Sequence, residues 1–163
     1  MSERHFFKTR IDIKSDVREK IVELLNQQLA DTSDLFTQTK QAHWNVKGAN
    51  FIAVHKMFDE FAGQIIEHVD EIAERTTALG GVAMGTARMA AKNSRLPEYP
   101  TDAVNSQQHL TALADRYAAL AKTTREAIDK ADGLGDKSTA DLFTSISRDL
   151  DQALWFIEAH LQG

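Results

Sequence analysis

Apolar residues recur at intervals of three and four along four long stretches of the chain, the spacing that gathers them on one side of an α-helix. The first stretch, 15–45, carries Val17, Ile21, Leu24, Leu25, Leu29, Leu35 and Phe36. Lys47-Gly48-Ala49-Asn50 interrupts it, with Gly48 suited to stop one helix and Asn50 suited to cap the next. The second, 51–79, has the stripe Val54, Phe58, Phe61, Ile65, Val69 and Ile72 and closes at Gly80-Gly81. The third, 102–131, runs through Leu110, Leu113, Tyr117, Leu120 and Ile128 to Gly133-Leu134-Gly135. The fourth, 138–161, runs through Leu142, Ile146, Leu150, Leu154 and Ile157.

Between the second and third stretches, residues 82–101 are mixed and hold both prolines, Pro97 and Pro100, with room for a short helix at 86–91. Two short connections flanking one long crossover make the second and third helices run parallel, the ferritin-like form of the four-helix bundle; short loops alone would give a simple up-down bundle. The expected fold is therefore all-α, with residues 1–14 as an N-terminal tail and 15–163 as one bundle domain.

Composition narrows this picture. With 163 residues, 42% hydrophobic and 26% charged, the chain has the profile of one ordinary globular domain. It has no cysteine, which removes disulfide scaffolds and thiolate metal sites. A formal net charge of -5 tolerates cations and argues against a dedicated nucleic-acid binder. No stretch reaches the roughly 20 apolar residues of a membrane span, and the N-terminus lacks a secretory apolar core. A cytoplasmic protein without a membrane partner is expected.

The chemistry gathers on the second helix. With His55 at zero on a wheel of 100° per residue, Asp59 falls at roughly 40°, Asp70 at roughly 60° and Glu74 at roughly 100°, beside the apolar stripe. Asp59 and Asp70 are eleven residues apart, about 16 Å along the axis, so one helix cannot bring them to one ion. The set is nonetheless symmetric: His55 with Glu74, and Asp59 with Asp70, share a midpoint between Gln64 and Ile65. An antiparallel copy related by a two-fold axis there would face His55 and Asp59 with the partner's Asp70 and Glu74, twice over. Ala62, Gly63 and Ile66 lie between the pairs and suit close approach. Folding back at Lys47–Asn50 would bring His43 near His55 and Asp59. Two imidazoles and three carboxylates suit Fe(II), Mn(II) or Zn(II), and carboxylates so close would bind a cation less well in acid. On the residues alone, a solvated surface of ordinary ion pairs remains the competing reading. Glu-x-x-His, which supplies ligands in single-chain di-iron bundles, occurs nowhere in the sequence.

The run Lys40-Gln41-Ala42-His43-Trp44-Asn45-Val46-Lys47-Gly48-Ala49-Asn50-Phe51, continued by His55-Lys56-Met57-Phe58-Asp59 and Asp70-Glu71-Ile72-Ala73-Glu74-Arg75, resembles the DNA-binding proteins from starved cells, the mini-ferritin family. The likeness extends through Leu113–Tyr117, Arg148–Leu150 and Trp155–Glu158. It implies a hollow dodecamer that oxidises Fe(II), preferably with hydrogen peroxide, stores ferric oxyhydroxide and protects DNA from oxidative damage. The family's ligand pattern falls on His43, His55 and Asp59 of one subunit and Asp70 and Glu74 of its mate, holding one or two irons. Trp44 matches a tryptophan that intercepts oxidising equivalents, with a packing role as the alternative. Acidic residues near the start of the last helix line the family's three-fold pores; Asp132, Asp136 and Asp141 are the candidates here, Asp141 the best placed and Asp136 equally suited to capping a helix. The alternative function is a nucleoid protein that compacts DNA. The tail equips it poorly: fourteen residues with four basic and two acidic side chains, plus Phe6-Phe7 suited to docking on the shell. Twelve tails could still act together by avidity.

Overall fold

A computed structural model describes residues 5–162 and gives five helices in the order α1 (Ser15–Asn45), α2 (Phe51–Ala78), α3 (Ala87–Asn93), α4 (Ser106–Gly133) and α5 (Lys137–Leu161). The four long helices form the bundle, and the short one lies in the crossover against α1. Residues 1–4 of the expected tail and Gly163 fall outside the described residues.

Hydrogen bonds between helix ends fix the helix directions. At one end, Arg18 near the start of α1 donates to the Leu79 carbonyl just past α2, at 2.8 Å. Arg75 near the end of α2 reaches Asp136, which caps α5. At the other end, the Lys47 N–H just past α1 donates to the Val104 carbonyl before α4, at 3.0 Å. Helices α2 and α4 therefore start at the same end and run parallel, as the long crossover requires.

The apolar stripes meet along the bundle axis. Ile21, Leu25, Phe58, Leu113, Tyr117 and Phe143 are fully buried. The expected stripe residues Val17, Leu24, Phe36, Val69, Ile128, Leu142 and Leu154 are only half-buried, packing on the edge of that core. Helix termini shift from the expected ones by up to four residues. Helix α4 starts at Ser106, not 102, because Asn105 and Gln108 form a reciprocal capping box. Asn50 does stand at the start of α2, but its side chain accepts no capping hydrogen bond from the described residues.

Buried polar contacts fasten the crossover. Asp31 on α1 is 1% exposed and takes the Arg95 backbone N–H at 2.7 Å and its guanidinium at 2.6 and 2.9 Å. Arg116 on α4 donates to Gln38 and to the Glu98 carbonyl. The N-terminal segment is also docked: Phe6 packs on the core under the Arg18 guanidinium, and the Phe7 N–H donates to the Gly80 carbonyl at 2.7 Å. Gly80 has φ of 90°, and a Cβ there would meet the Phe7 carbonyl.

Candidate metal centre

The break after α1 places His43 against His55. Val46 leaves the helix in extended conformation, Gly48 takes φ of 116°, and α2 starts back along α1. The two imidazoles stack with centroids 3.8 Å apart and planes 20° apart. Each ring bonds the other residue's backbone: His43 Nδ1 to the His55 carbonyl and His55 Nδ1 to the His43 carbonyl, both at 2.8 Å. A carbonyl only accepts, so each Nδ1 carries the proton, and in the neutral ring each Nε2 keeps its lone pair. The same device orients metal-binding histidines generally, with one nitrogen bonded to the protein and the other left for the ion.

Asp59, one turn beyond His55, completes the cluster. Its Oδ1 is 3.8 Å from His43 Nε2 and accepts from Lys40 Nζ at 2.7 Å. The Lys40 hydrogen bond holds the Asp59 carboxyl below its usual range; slight desolvation opposes this, and the charges of Lys40, His43 and His55 reinforce it. Lys40 is the residue that sequence reasoning left without a role. Its position one turn before His43 and Trp44 was the available signal. The Lys40 ammonium also sits 5.8 Å from the Trp44 ring centroid. Trp44 itself is 66% exposed, so it does not pack in its own subunit's core.

Asp70 and Glu74 lie farther along α2 and are exposed. Within one chain the structure brings His43, His55 and Asp59 together but leaves Asp70 and Glu74 apart from them. Among the described residues, no group of three or more histidines and acids in one chain is arranged to hold a metal ion. The flank between the two halves carries Gly63, with open space beside it, and Ile66, which is 43% exposed. Ala62 is 2% exposed and belongs to the bundle core, so it is not part of that flank. Nitrogen and oxygen donors with fixed imidazoles fit a borderline-hard divalent ion such as Fe(II), Zn(II) or Mn(II).

The three acidic residues expected near a pore separate. Asp136 is 1% exposed, and both oxygens are occupied by Arg75 and by the Thr139 hydroxyl and N–H. It caps α5 and ties it to α2; it cannot present a free carboxylate to a channel. Asp132 is half exposed and pairs with Lys137. Asp141 is exposed. None of the described helices is long and apolar enough to cross a membrane.

Comparison with known proteins agrees with the fold. A family model described as a ferritin-like domain matches residues 22–163. A DNA protection during starvation protein from Agrobacterium fabrum is 48% identical over 155 residues, covering 95% of this chain and 96% of the relative. Among solved structures, Mycobacterium smegmatis Dps has a TM-score of 0.91 at 32% identity, covering 98% of this chain and 89% of that one. An archaeal Dps homologue from Halobacterium salinarum has a TM-score of 0.92 at 29% identity, covering 99% and 89%. With its bundle, its crossover and the run from Lys40 to Arg75 all in place, the chain belongs to the Dps family of ferritin-like proteins.

Proposed function

We propose that two copies of this chain pair along α2 about a two-fold axis near Gln64–Ile65 and build two ferroxidase sites between them. His43, His55 and Asp59 of one subunit would face Asp70 and Glu74 of the other. The observation that carries this reading is the reciprocal lock of His43 and His55, which leaves both Nε2 atoms as ligand donors, that of His43 3.8 Å from Asp59, on the flank that also bears Asp70 and Glu74. A half-site of this kind has two nitrogens and one carboxylate, and it needs more anionic oxygen to neutralise and hold a divalent cation. The symmetric midpoint supplies that oxygen from the partner. The exposed Ile66 and the open Gly63 favour helix-to-helix contact there.

Iron is the substrate. Fe(II) bound between the subunits would be oxidised with hydrogen peroxide as the preferred acceptor, each peroxide taking one electron from each of two ferrous ions. The ferric product would collect as oxyhydroxide inside a hollow dodecamer, which withholds from peroxide the ferrous iron that makes hydroxyl radical. That chemistry is how this protein would protect DNA. Asp132 and Asp141 are the remaining candidates for an acidic entry path near the start of α5. The N-terminal segment is fastened at Phe6 and Phe7, which disfavours a free basic arm as the main device, so we do not adopt DNA compaction as the principal role.

The test is stopped-flow oxidation of Fe(II) by peroxide with metal-free protein. The reading expects fast oxidation and a soluble ferric core. His55→Ala combined with Asp59→Ala should slow the fast phase by at least about tenfold, the loss of about 1.4 kcal/mol of barrier lowering. An unchanged rate in that variant would reject the assigned ligands.

A further inference from the structure

The chain has two tyrosines, Tyr99 in the crossover and Tyr117 on α4, and both are buried. Their hydroxyls meet different chemistry. Tyr99 Oη lies 2.6 Å from His109 Nδ1, a short hydrogen bond between a phenol and a basic nitrogen. Tyr117 Oη lies 3.3 Å from Thr39 Oγ1, whose own proton goes to the Leu35 carbonyl at 2.8 Å. Tyr117 therefore donates to an alcohol oxygen, and among the described residues it has no base.

The protons on the first pair can be assigned. Burial raises the Tyr99 phenol well above its usual range, against the opposing charge of Arg116, so the hydroxyl stays protonated. Burial lowers the His109 imidazole; the Asn45 carbonyl opposes that shift, the Lys47 charge adds to it, and the Ala103 carbonyl opposes it again. The resting pair is a phenol donating to a neutral imidazole. His109 Nε2 is sealed from water and has no well-formed hydrogen bond among the described residues.

We propose that Tyr99 and His109 form a one-electron redox pair, in which oxidation of Tyr99 sends its phenolic proton to His109 Nδ1 and leaves a neutral tyrosyl radical shielded from solvent. A phenol that loses one electron becomes a strong acid. A base already within hydrogen-bond distance takes the proton as the electron leaves, which makes the oxidation easier than formation of a bare radical cation. Tyr117 lacks that outlet, so the chain holds its own control. His109 lies beside the backbone of Asn45, next in sequence to Trp44, so the pair sits at the same end of the bundle as His43 and His55.

The natural oxidant rests on the proposed iron chemistry. Hydroxyl radical formed from ferrous iron and peroxide would take one electron from Tyr99 and one proton from solvent, giving water. His109 would hold the phenolic proton. A thiol or another one-electron reductant would later return an electron to the tyrosyl oxygen, and Nδ1 would return the proton. The radical is thereby held on the protein and kept from diffusing to DNA.

The test uses iron-free assembled protein and photogenerated tris(bipyridyl)ruthenium(III), followed by freezing and electron paramagnetic resonance. A tyrosyl signal is expected in the wild type and in Tyr117→Phe, and it should be lost in Tyr99→Phe, which removes only a hydroxyl. In His109→Gln the yield should fall several-fold, and the largest g component should rise as the imidazolium hydrogen bond is lost. An undiminished signal in Tyr99→Phe would overturn the proposal. Should His109→Gln fail to fold, double-resonance spectroscopy of the deuterated wild type must find one exchangeable deuteron within hydrogen-bond distance of the radical oxygen; its absence is equally contrary. Ferrous iron and peroxide should then produce the same signal. A signal with ruthenium but none with iron would sever the pair from iron chemistry, whereas slow iron oxidation in the wild type would reject the ferroxidase reading itself.

Discussion

Single side chains decide how ready the half-site is. The carbonyl bonds that orient His43 and His55 are available only because α1 stops at Asn45 and α2 returns within a few residues. Lys40 holds Asp59 in place of a cation, so an arriving ion must displace an ammonium. Lys40→Met should therefore tighten binding of a divalent ion a few-fold, measured by titrating Zn(II) into metal-free protein; weaker binding would mean that Lys40 helps the site and does not compete with the ion. Asp136 gives a separate prediction about stability. Burial pushes its carboxyl up, but Thr139 and Arg75 outweigh burial and hold it below the usual carboxylate value of 3.8. Its folded pKa is depressed, so its contribution is present above that value and is lost as pH falls through the folded pKa. Asp136→Ala should cost about 2–4 kcal/mol near neutral pH, from the lost cap and the stranded Arg75. That difference should shrink below about pH 4. Urea unfolding of both proteins across pH checks it, and a difference independent of pH would count against the ion pair as its source.

At the scale of elements, much of this fold was legible because it is written in long amphipathic helices. The bounds of α1 and α5 follow from periodicity and stop signals, and the parallel course of α2 and α4 follows from the crossover's length. The start of α4 was less legible: Asp102 and Asn105 are both good caps by residue type, and only the Gln108 side chain's return to the backbone selects Asn105. In the site, the alignment of His55, Asp59, Asp70 and Glu74 was legible as helix geometry. The imidazole stack was not, because it depends on where a loop sets two helices side by side. The capping role of Asp136 was visible only as an option, since Arg75 lies 61 residues away in sequence. Asp31 and Arg95 fasten the crossover to α1. Arg95→Ala should destabilise the fold, because it leaves the buried Asp31 carboxylate without its guanidinium partner, and it should raise hydrogen exchange of amides at 86–99 severalfold. Unaltered exchange there would show that Arg95 does not restrain the crossover.

The whole molecule is the scale on which the proposed function stands or falls, because in the proposed site one chain would supply His43, His55 and Asp59 and its partner the two remaining carboxylates. A metal-free sample that stays monomeric by light scattering would remove the site altogether. Mixing subunits probes the shared site itself. Take one subunit with His55→Ala and Asp59→Ala, and another with Asp70→Asn and Glu74→Gln; assemblies of either alone should be inactive. When the two are unfolded together and reassembled in equal amounts, each mixed two-fold contact regains one intact site, from the imidazole side of one chain and the acidic side of the other. About a quarter of the wild-type sites should return if pairing across the two-fold is random. Recovery of the fast phase of iron oxidation to roughly that fraction is the result predicted here. A mixture as inactive as its parents would contradict a site shared between subunits.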